Sequence, residues 1–311
     1  MLCVFAGAFC VGVVCGVTHM GMAMPRVSVL MPVYNTDEEF LRPAIESILG
    51  QTYQDFEFVI LNDGSTNNAA SVIHEYVIRD NRIRFINNPN NRGVGVGRNV
   101  LLDAACGEFI AYNDSDDISY PHRLETQVKF LDSNPDITVV GCAMKTIPSN
   151  RVITCPPNPK ILDFYIANMV ANPSVMFRRA DINCANIRYN PEYTTAEDYD
   201  FWAHVARCFN IQNLSDVLVM YREQETSLSH NNPQMFHNNR IIQSKILDYL
   251  TDCPQLRLFL APSHRVYVFG FLPVLKIKRT RIYLFDVLPL FKLRGKWWCL
   301  FDVIPMYKRG K

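Results

Sequence analysis

At 311 residues, 49% of them apolar and with a formal net charge of +1, the chain has the composition of a globular protein, large enough for one big domain with appendages or for two modest ones. The near-zero total hides an asymmetry: residues 265–311 hold eleven Lys or Arg against two acidic residues, leaving a body of about −8 and a tail of +9. The ten cysteines include no C-x-x-C pair and no regular spacing, so they give neither a zinc site nor a disulfide framework and read as free thiols in a reducing compartment.

Residues 1–24 form an apolar N-terminal segment. Its run Leu2–Val17 lacks a basic leading region and is short for a span of about 20 residues, while Met20, Met22 and Met24 stand directly before the first convincing strand. An over-extended start is therefore favoured over a signal or anchor.

From Arg26 to Cys142, short β-branched runs alternate with longer amphipathic ones, the pattern of βαβ units building a parallel sheet. Strands are expected at Val27–Met31, Phe56–Leu61, Ile83–Ile86, Phe109–Tyr112 and Thr138–Val140. Helical spacing covers Glu38–Leu49, Ala69–Arg79, Val96–Ala105 and Pro121–Leu131, with Pro121 suited to a first turn. In a doubly wound sheet of this kind, ligands bind beyond the carboxyl ends of the strands. Three polar turns then converge on one rim: Pro32-Val33-Tyr34-Asn35, Asn62-Asp63-Gly64-Ser65 and Asn113-Asp114-Ser115-Asp116-Asp117.

Three carboxylates within four positions repel one another, and a hard divalent cation relieves that repulsion; a solvated, helix-capping turn is the alternative. Mg2+ takes only one or two protein carboxylates and completes its shell with water and phosphate, which makes a nucleoside diphosphate the natural co-ligand. Asp63 can accept a hydrogen bond from a base or ribose, although an Asp-Gly turn by itself is the commoner use of that pair. Gly93-Val94-Gly95-Val96-Gly97-Arg98 is a poor dinucleotide fingerprint, since its third glycine falls one place early and the turn follows the third strand. It reads better as a loop passing close to a nucleotide, with Arg98 supplying charge near phosphate.

Beyond Ile161 the pattern is less regular until Tyr199–Cys208, whose helical spacing puts Glu197-Asp198 in the first turn. There the positive end of the helix dipole favours an ionised carboxylate, serving either as a cap or as a general base. Residues 231–265 read as a helical linker. Residues 266–311 repeat with a period of 16: Phe269, Phe285 and Phe301, then Pro273, Pro289 and Pro305, then Lys276, Lys292 and Lys308.

In order, "VSVLMPVYN", "FVILNDGSTN", "NRGVGVGRN", "GEFIAYNDSDDISYPHRLETQ" and "AEDYDFWAHV" resemble the successive motifs of family 2 glycosyltransferases, over roughly residues 26–230. The resemblance implies a GT-A type doubly wound, mostly parallel α/β sheet, with a nucleotide-sugar half (25–142) and an acceptor half (143–230) inside a 25–230 domain. It implies an inverting transferase for which Pro32, Tyr34, Asn35, Asp63, Arg98 and Asp114 bind the UDP-sugar, Asp114 and Asp116 hold Mg2+ or Mn2+, and Asp198 is the catalytic base. Asp117 is read as a support or cap for the helix near Pro121. Arg222 falls at the family's Tyr-Arg position, with a Ser soon after it. Two departures are Asn113, where an apolar residue is common, and the glycine loop "GVGVGRN", where many members have alanine before Arg98-Asn99.

The tail resembles the C-terminal segments of bacterial lipopolysaccharide and capsule transferases. Its aromatic, proline and basic units suit an anionic membrane surface and not nucleic acid, because the charges are interleaved with Phe, Leu and Pro. The expectation is a cytoplasmic enzyme, peripheral on the inner face of the membrane, acting on a glycan or lipid-linked acceptor. A nucleotidyltransferase is disfavoured, since "MPVYNTDEEF" lacks a basic, glycine-rich triphosphate loop. An inactive sugar-nucleotide or membrane-binding module remains the non-catalytic alternative.

Overall fold

The computed structural model describes residues 24–223, residues 233–252 and six strands between Arg265 and Lys308. The Leu2–Val17 run, the serines that follow Arg222, and Phe269, Phe285 and Phe301 lie outside the described residues. The chain divides into two compact units between Ile242 and Gln243.

In the first unit the chain runs β1 (Val27–Val33), α1 (Glu38–Leu49), β2 (Phe56–Asp63), α2 (Ala69–Arg79), β3 (Ile83–Asn88), α3 (Val94–Ala104), β4 (Phe109–Tyr112), β5 (Ile118–Ser119) and α4 (Arg123–Ser133). It continues with β6 (Ile137–Ile147), β7 (Val152–Ile153), α5 (Ile161–Phe164), a 3-10 turn (Asn172–Ser174), β8 (Met176–Arg178), α6 (Arg179–Cys184), α7 (Glu197–Cys208) and β9 (Asn210–Arg222). Helix α8 (Pro233–Asp252) crosses into the second unit.

The main sheet has the order β3-β2-β1-β4-β8-β6-β9-β5, with β7 beside β6. Strands β1 to β4 are mutually parallel, as the buried runs VSVLMPV and FEFVILND require once helices cover both faces. Helix α1 buries Leu41, Ala44, Ile45 and Ile48, an i, i+3, i+4, i+7 stripe, against this sheet. The strand order reverses between β1 and β4, so the ligand crevice of an open α/β sheet falls at their carboxyl ends, where Tyr34 and Asn113 follow. Beyond β4 the sheet turns mixed: β8 is antiparallel to both β4 and β6, and β9 is parallel to β6.

Two local expectations change. Pro121 precedes the N-cap His122, outside the helix, and its carbonyl accepts the Thr52 N–H at 2.9 Å. Gly95 and Gly97 lie within α3, where an added Cβ would sit 3.2 Å from the Asn190 carbonyl oxygen and 3.1 Å from the Leu61 side chain. They bring the helix close to its neighbours and do not line a loop. Cys142, Cys155 and Cys208 are free thiols.

The second unit holds an antiparallel meander of β10 (Arg265–Val268), β11 (Leu272–Lys278), β12 (Arg281–Leu284), β13 (Leu288–Arg294), β14 (Trp297–Leu300) and β15 (Ile304–Lys308). The 16-residue repeat is thus a repeated strand pair. Pro273, Pro289 and Pro305 each fall beside a register shift, where a ladder tolerates a missing N–H. The ladder register places Arg265 opposite Lys276, Lys278 opposite Arg281 and Arg281 opposite Lys292.

Candidate active site

The three polar turns predicted to meet on one rim do meet, through side-chain hydrogen bonds. Asn35, in the left-handed region at φ 52°, donates its N–H to Ser65 Oγ at 2.9 Å and accepts the Thr66 N–H at Oδ1 at 2.8 Å. Thr36 Oγ1 and Ser115 Oγ lie 2.6 Å apart, joining the first turn to the carboxylate turn. Tyr34 is 51% exposed beside them, and Pro32 lies inside β1 opposite Leu61.

Asp63 is buried, and both of its oxygens are occupied: Oδ1 accepts from Asn88 Nδ2 at 2.8 Å, and Oδ2 from the N–H groups of Arg92 and Gly93 at 2.9 and 3.0 Å. Here it fastens the β3–α3 loop. Gly64 serves the same loop. At φ +70° an added Cβ would fall 2.4 Å from the Asn90–Asn91 backbone, so the close approach is to protein.

The centre of the site is a chain of charges linking α3, the carboxylate turn and α7. Arg98 donates from Nη1 to Glu197 Oε1 at 2.5 Å, and its Nη2 is 3.5 Å from Asp114 Oδ1. The guanidinium carbon lies 5.9 Å from the Tyr112 ring and 5.5 Å from Tyr189, inside an aromatic cluster in which Tyr189 stacks on Phe201 at 4.2 Å. Asp198 is the next residue of α7, and it accepts the Tyr199 N–H at 2.8 Å and Asn168 Nδ2 at 3.1 Å. Ala196, immediately before this pair, sits in the left-handed region at φ 61°, a conformation costing a non-glycine residue about 1–2 kcal/mol. Backbone strain of this kind collects where side-chain placement has a function.

Arg222 arrives at the same turn from the end of β9. Its N–H donates to Asp117 Oδ1 at 2.9 Å, its Nε donates to the Asp116 carbonyl at 3.1 Å, and its guanidinium stacks 4.3 Å above the Phe40 ring. Asp117 therefore supports β9; α4 carries no side-chain cap.

Burial and the neighbouring Asp114 push Asp116 up to about 6. Burial, Asp114 and Asp116 push Asp117 well above the carboxylate range, and its Oδ2 has no hydrogen-bond partner among the described residues. Burial also raises Glu197 to about 7 against the pull of Arg98, and it raises Asp198. Arg98 stays charged, held above its ordinary value by Glu197 and Asp114 despite burial. The turn thus carries closely spaced hard oxygen donors whose mutual repulsion a divalent cation would offset, so Asp114 and Asp116 fit such an ion. Among the described residues no group of three or more His, Cys, Asp or Glu is arranged to hold a metal ion.

The sign of the pH effect follows. Asp116, Asp117, Glu197 and Asp198 have folded-state values above their unfolded ones, so the native state binds the extra protons and its stability falls as pH rises through the raised values. The metal-free protein is expected to melt at a higher temperature at pH 6 than at pH 8. Calorimetric scans at the two values check this, and a higher melting temperature at pH 8 contradicts it.

Sequence reasoning missed Glu197 as the partner of Arg98, because 99 residues separate them. It also missed Arg123, which is fully buried and donates to Asn113 Oδ1, Ser119 Oγ and the Tyr112 and Val175 carbonyls behind the carboxylate turn. One signal was available. Arg123 and Gln127 share the α4 stripe with Leu124, Val128 and Leu131, so polar side chains stand at core positions.

Residues 28–189 match the family profile described as glycosyl transferase family 2. An uncharacterized glycosyltransferase of Methanocaldococcus jannaschii is 34% identical over 210 residues, covering 65% of this chain and 72% of that protein. One from Haemophilus influenzae is 31% identical over 242 residues, covering 73% and 75%. Among solved structures, S. aureus TarS 1-349 in complex with UDP-GlcNAc aligns with a TM-score of 0.61 at 23% identity, over 74% of this chain and 67% of that one. A mannosyltransferase of Pyrobaculum calidifontis, in complex with GDP-Man and Mn2+, aligns with a TM-score of 0.51 at 18% identity, over 72% and 62%. At these identities the two structures share the fold.

Proposed function

The chain belongs to glycosyl transferase family 2, and from that premise we propose that it moves a hexose or N-acetylhexosamine from a UDP-sugar to a hydroxyl of a surface glycan by a single inverting displacement. The observation that carries this reading is the chain Asp114–Arg98–Glu197, which ties the carboxylate turn to the helix terminus bearing Asp198. A donor-side anion site and a candidate base are thereby held in one rigid network.

In this mechanism Asp198 removes the proton of an acceptor hydroxyl as that oxygen attacks the anomeric carbon from the face opposite the nucleotide. Asp114 and Asp116 would hold Mg2+ or Mn2+, which when bound neutralises charge on the departing diphosphate. Arg98 serves the donor site through Asp114, since its Nη1 is engaged by Glu197. Tyr34, Asn35 and Asp63 shape the nucleoside side of the crevice, Asp63 by fixing the β3–α3 loop at its end, Arg92 and Gly93.

Calorimetric titration of UDP-glucose, UDP-galactose and UDP-N-acetylglucosamine with Mn2+ tests the donor. At least one is expected to bind in a metal-dependent manner, and Asp116→Ala to lose that metal dependence. Metal-independent binding unchanged by Asp116→Ala would overturn the reading.

The tail supports an anionic membrane as the working surface. It carries eleven Lys or Arg against two acidic residues over 265–311, interleaved with Phe, Leu and Pro, and each such cation near an anionic surface contributes about 1 kcal/mol. Among the described residues no helix is long and apolar enough to cross a membrane, so the association proposed is peripheral, on the cytoplasmic face. The full-length protein is expected to float with vesicles containing phosphatidylglycerol, not with pure phosphatidylcholine, and to be released by salt. Equal flotation with both lipids contradicts the proposal.

A further inference from the structure

Asp198 is gripped at both carboxylate oxygens, and one grip comes from a residue that no motif marks. Oδ1 accepts the N–H of Tyr199, its own helix neighbour, while Oδ2 accepts from Asn168 Nδ2 across a separation of 30 residues. The orientation of the Asn168 amide is settled by its other end: Oδ1 accepts the Val170 N–H at 3.2 Å, which leaves the NH2 group facing Asp198.

Asn168 belongs to a strap between α5 and the 3-10 turn that is tied to α7 at intervals of four residues. The Phe164 carbonyl accepts from Tyr199 OH, Asn168 donates to Asp198, and Asn172 Oδ1 accepts from Trp202 Nε1 at 3.2 Å. The two outer ties fix the strap without touching Asp198. The middle one acts on the carboxylate alone.

We propose that Asn168 is a positioning residue for the base: by donating to Oδ2 it sets the rotation of the Asp198 carboxylate, and so the direction of the lone pair that takes the acceptor proton. This rests on Asp198 being the base. A carboxylate held by one backbone N–H alone can still turn about its Cβ–Cγ bond, and proton transfer needs a hydrogen-bond geometry that such turning destroys. The second donor also favours the ionised form, which burial otherwise opposes.

Asn168→Asp is the decisive variant because it is isosteric. Its Oδ1 still accepts the Val170 N–H and the two outer ties of the strap remain, but the donor facing Asp198 becomes an acceptor. In UDP release from the UDP-sugars named above with Mn2+, kcat is expected to fall on the order of 10- to 100-fold for Asn168→Asp and Asn168→Ala, with donor KM unchanged. In crystals of Asn168→Asp the Asp198 carboxylate is expected to be rotated. Adding Asn168→Ala to Asp198→Asn is expected to cause no further loss, whereas independent losses would show that Asn168 acts elsewhere.

A wild-type kcat in Asn168→Asp, or an unrotated Asp198 carboxylate in its crystals, overturns the proposal. The two readings separate cleanly. An active Asp198→Asn sinks the base assignment, and an inactive Asp198→Asn beside a fully active Asn168→Asp sinks only the positioning role.

Discussion

Asp198→Asn is expected to lower sugar transfer by about 10²- to 10⁴-fold, the usual contribution of a positioned general base, while leaving donor affinity within a factor of two or three. The selectivity follows from where the charges lie. Donor-side groups Asp114 and Asp116 sit on the turn after β4, and the link to α7 runs through Glu197, whose carboxylate the substitution leaves intact. The amide keeps an acceptor for the Tyr199 N–H but cannot take a proton, and its NH2 group meets the Asn168 NH2 group where a carboxylate oxygen accepted its hydrogen bond. Steady-state kcat for UDP release and a parallel donor titration check both halves. An unchanged kcat removes Asp198 from the chemistry. A matching loss of donor binding assigns it to the architecture of the donor site.

How much of this was legible in the sequence depended on the range of the interactions involved. Helices α1 and α2 have the expected bounds, Glu38–Leu49 and Ala69–Arg79, because each carries a complete apolar stripe that fixes it locally. Strands β1, β2 and β3 run two residues past their apolar cores, to Val33, Asp63 and Asn88, because parallel neighbours continue the ladder: Val33 pairs with Asn62, and Asp63 with Asn88. Those extra residues are polar or border polar turns. A pattern search for apolar runs ends just short of the site.

Strand β6 was read as Thr138–Val140 and spans Ile137–Ile147, since its partner β9 lies some 70 residues on and pairs through several register shifts. The same limit hid the function of Arg98. Its charge near a glycine turn was visible, but the Glu197 that holds it comes from a helix 99 residues away. The tail shows the converse. Its period of 16 was plain, yet which residues stand opposite one another, such as Arg281 and Lys292, emerges only when strand pairing sets the register.

Arg123→Ala is expected to be among the most destabilising single substitutions in the first unit, costing about 3–5 kcal/mol of a total that for most domains is only 5–15 kcal/mol. Arg123 is fully buried and, among the described residues, makes no ion-pair contact with a carboxylate; its side chain donates to Gln127 Oε1, Asn113 Oδ1, Ser119 Oγ and the carbonyls of Tyr112 and Val175, the Tyr112 bond at 2.6 Å. Burial lowers its hold on the proton, and the nearby Asp117 and Asp114 oppose that.

Truncation removes a buried donor from each of these acceptors, of which Asn113 Oδ1 still accepts from Ser119 Oγ and the Val175 carbonyl from the Tyr112 N–H, and it takes the compensating charge of Arg123 away from Asp117. Urea midpoints for Arg123→Ala and for Lys129→Ala, which removes an exposed pair on the same helix, separate burial from helix propensity. The second is expected within about 0.5 kcal/mol of wild type. Arg123→Lys is expected to recover part of the loss, since an ammonium supplies the charge but cannot span acceptors on β4, β5 and β8's approach together. Because those acceptors flank Asp114 to Asp117, any Arg123→Lys protein that folds should bind donor with metal more weakly. A folded Arg123→Ala protein with wild-type stability and donor affinity would show that the carboxylate turn holds its shape without the guanidinium behind it.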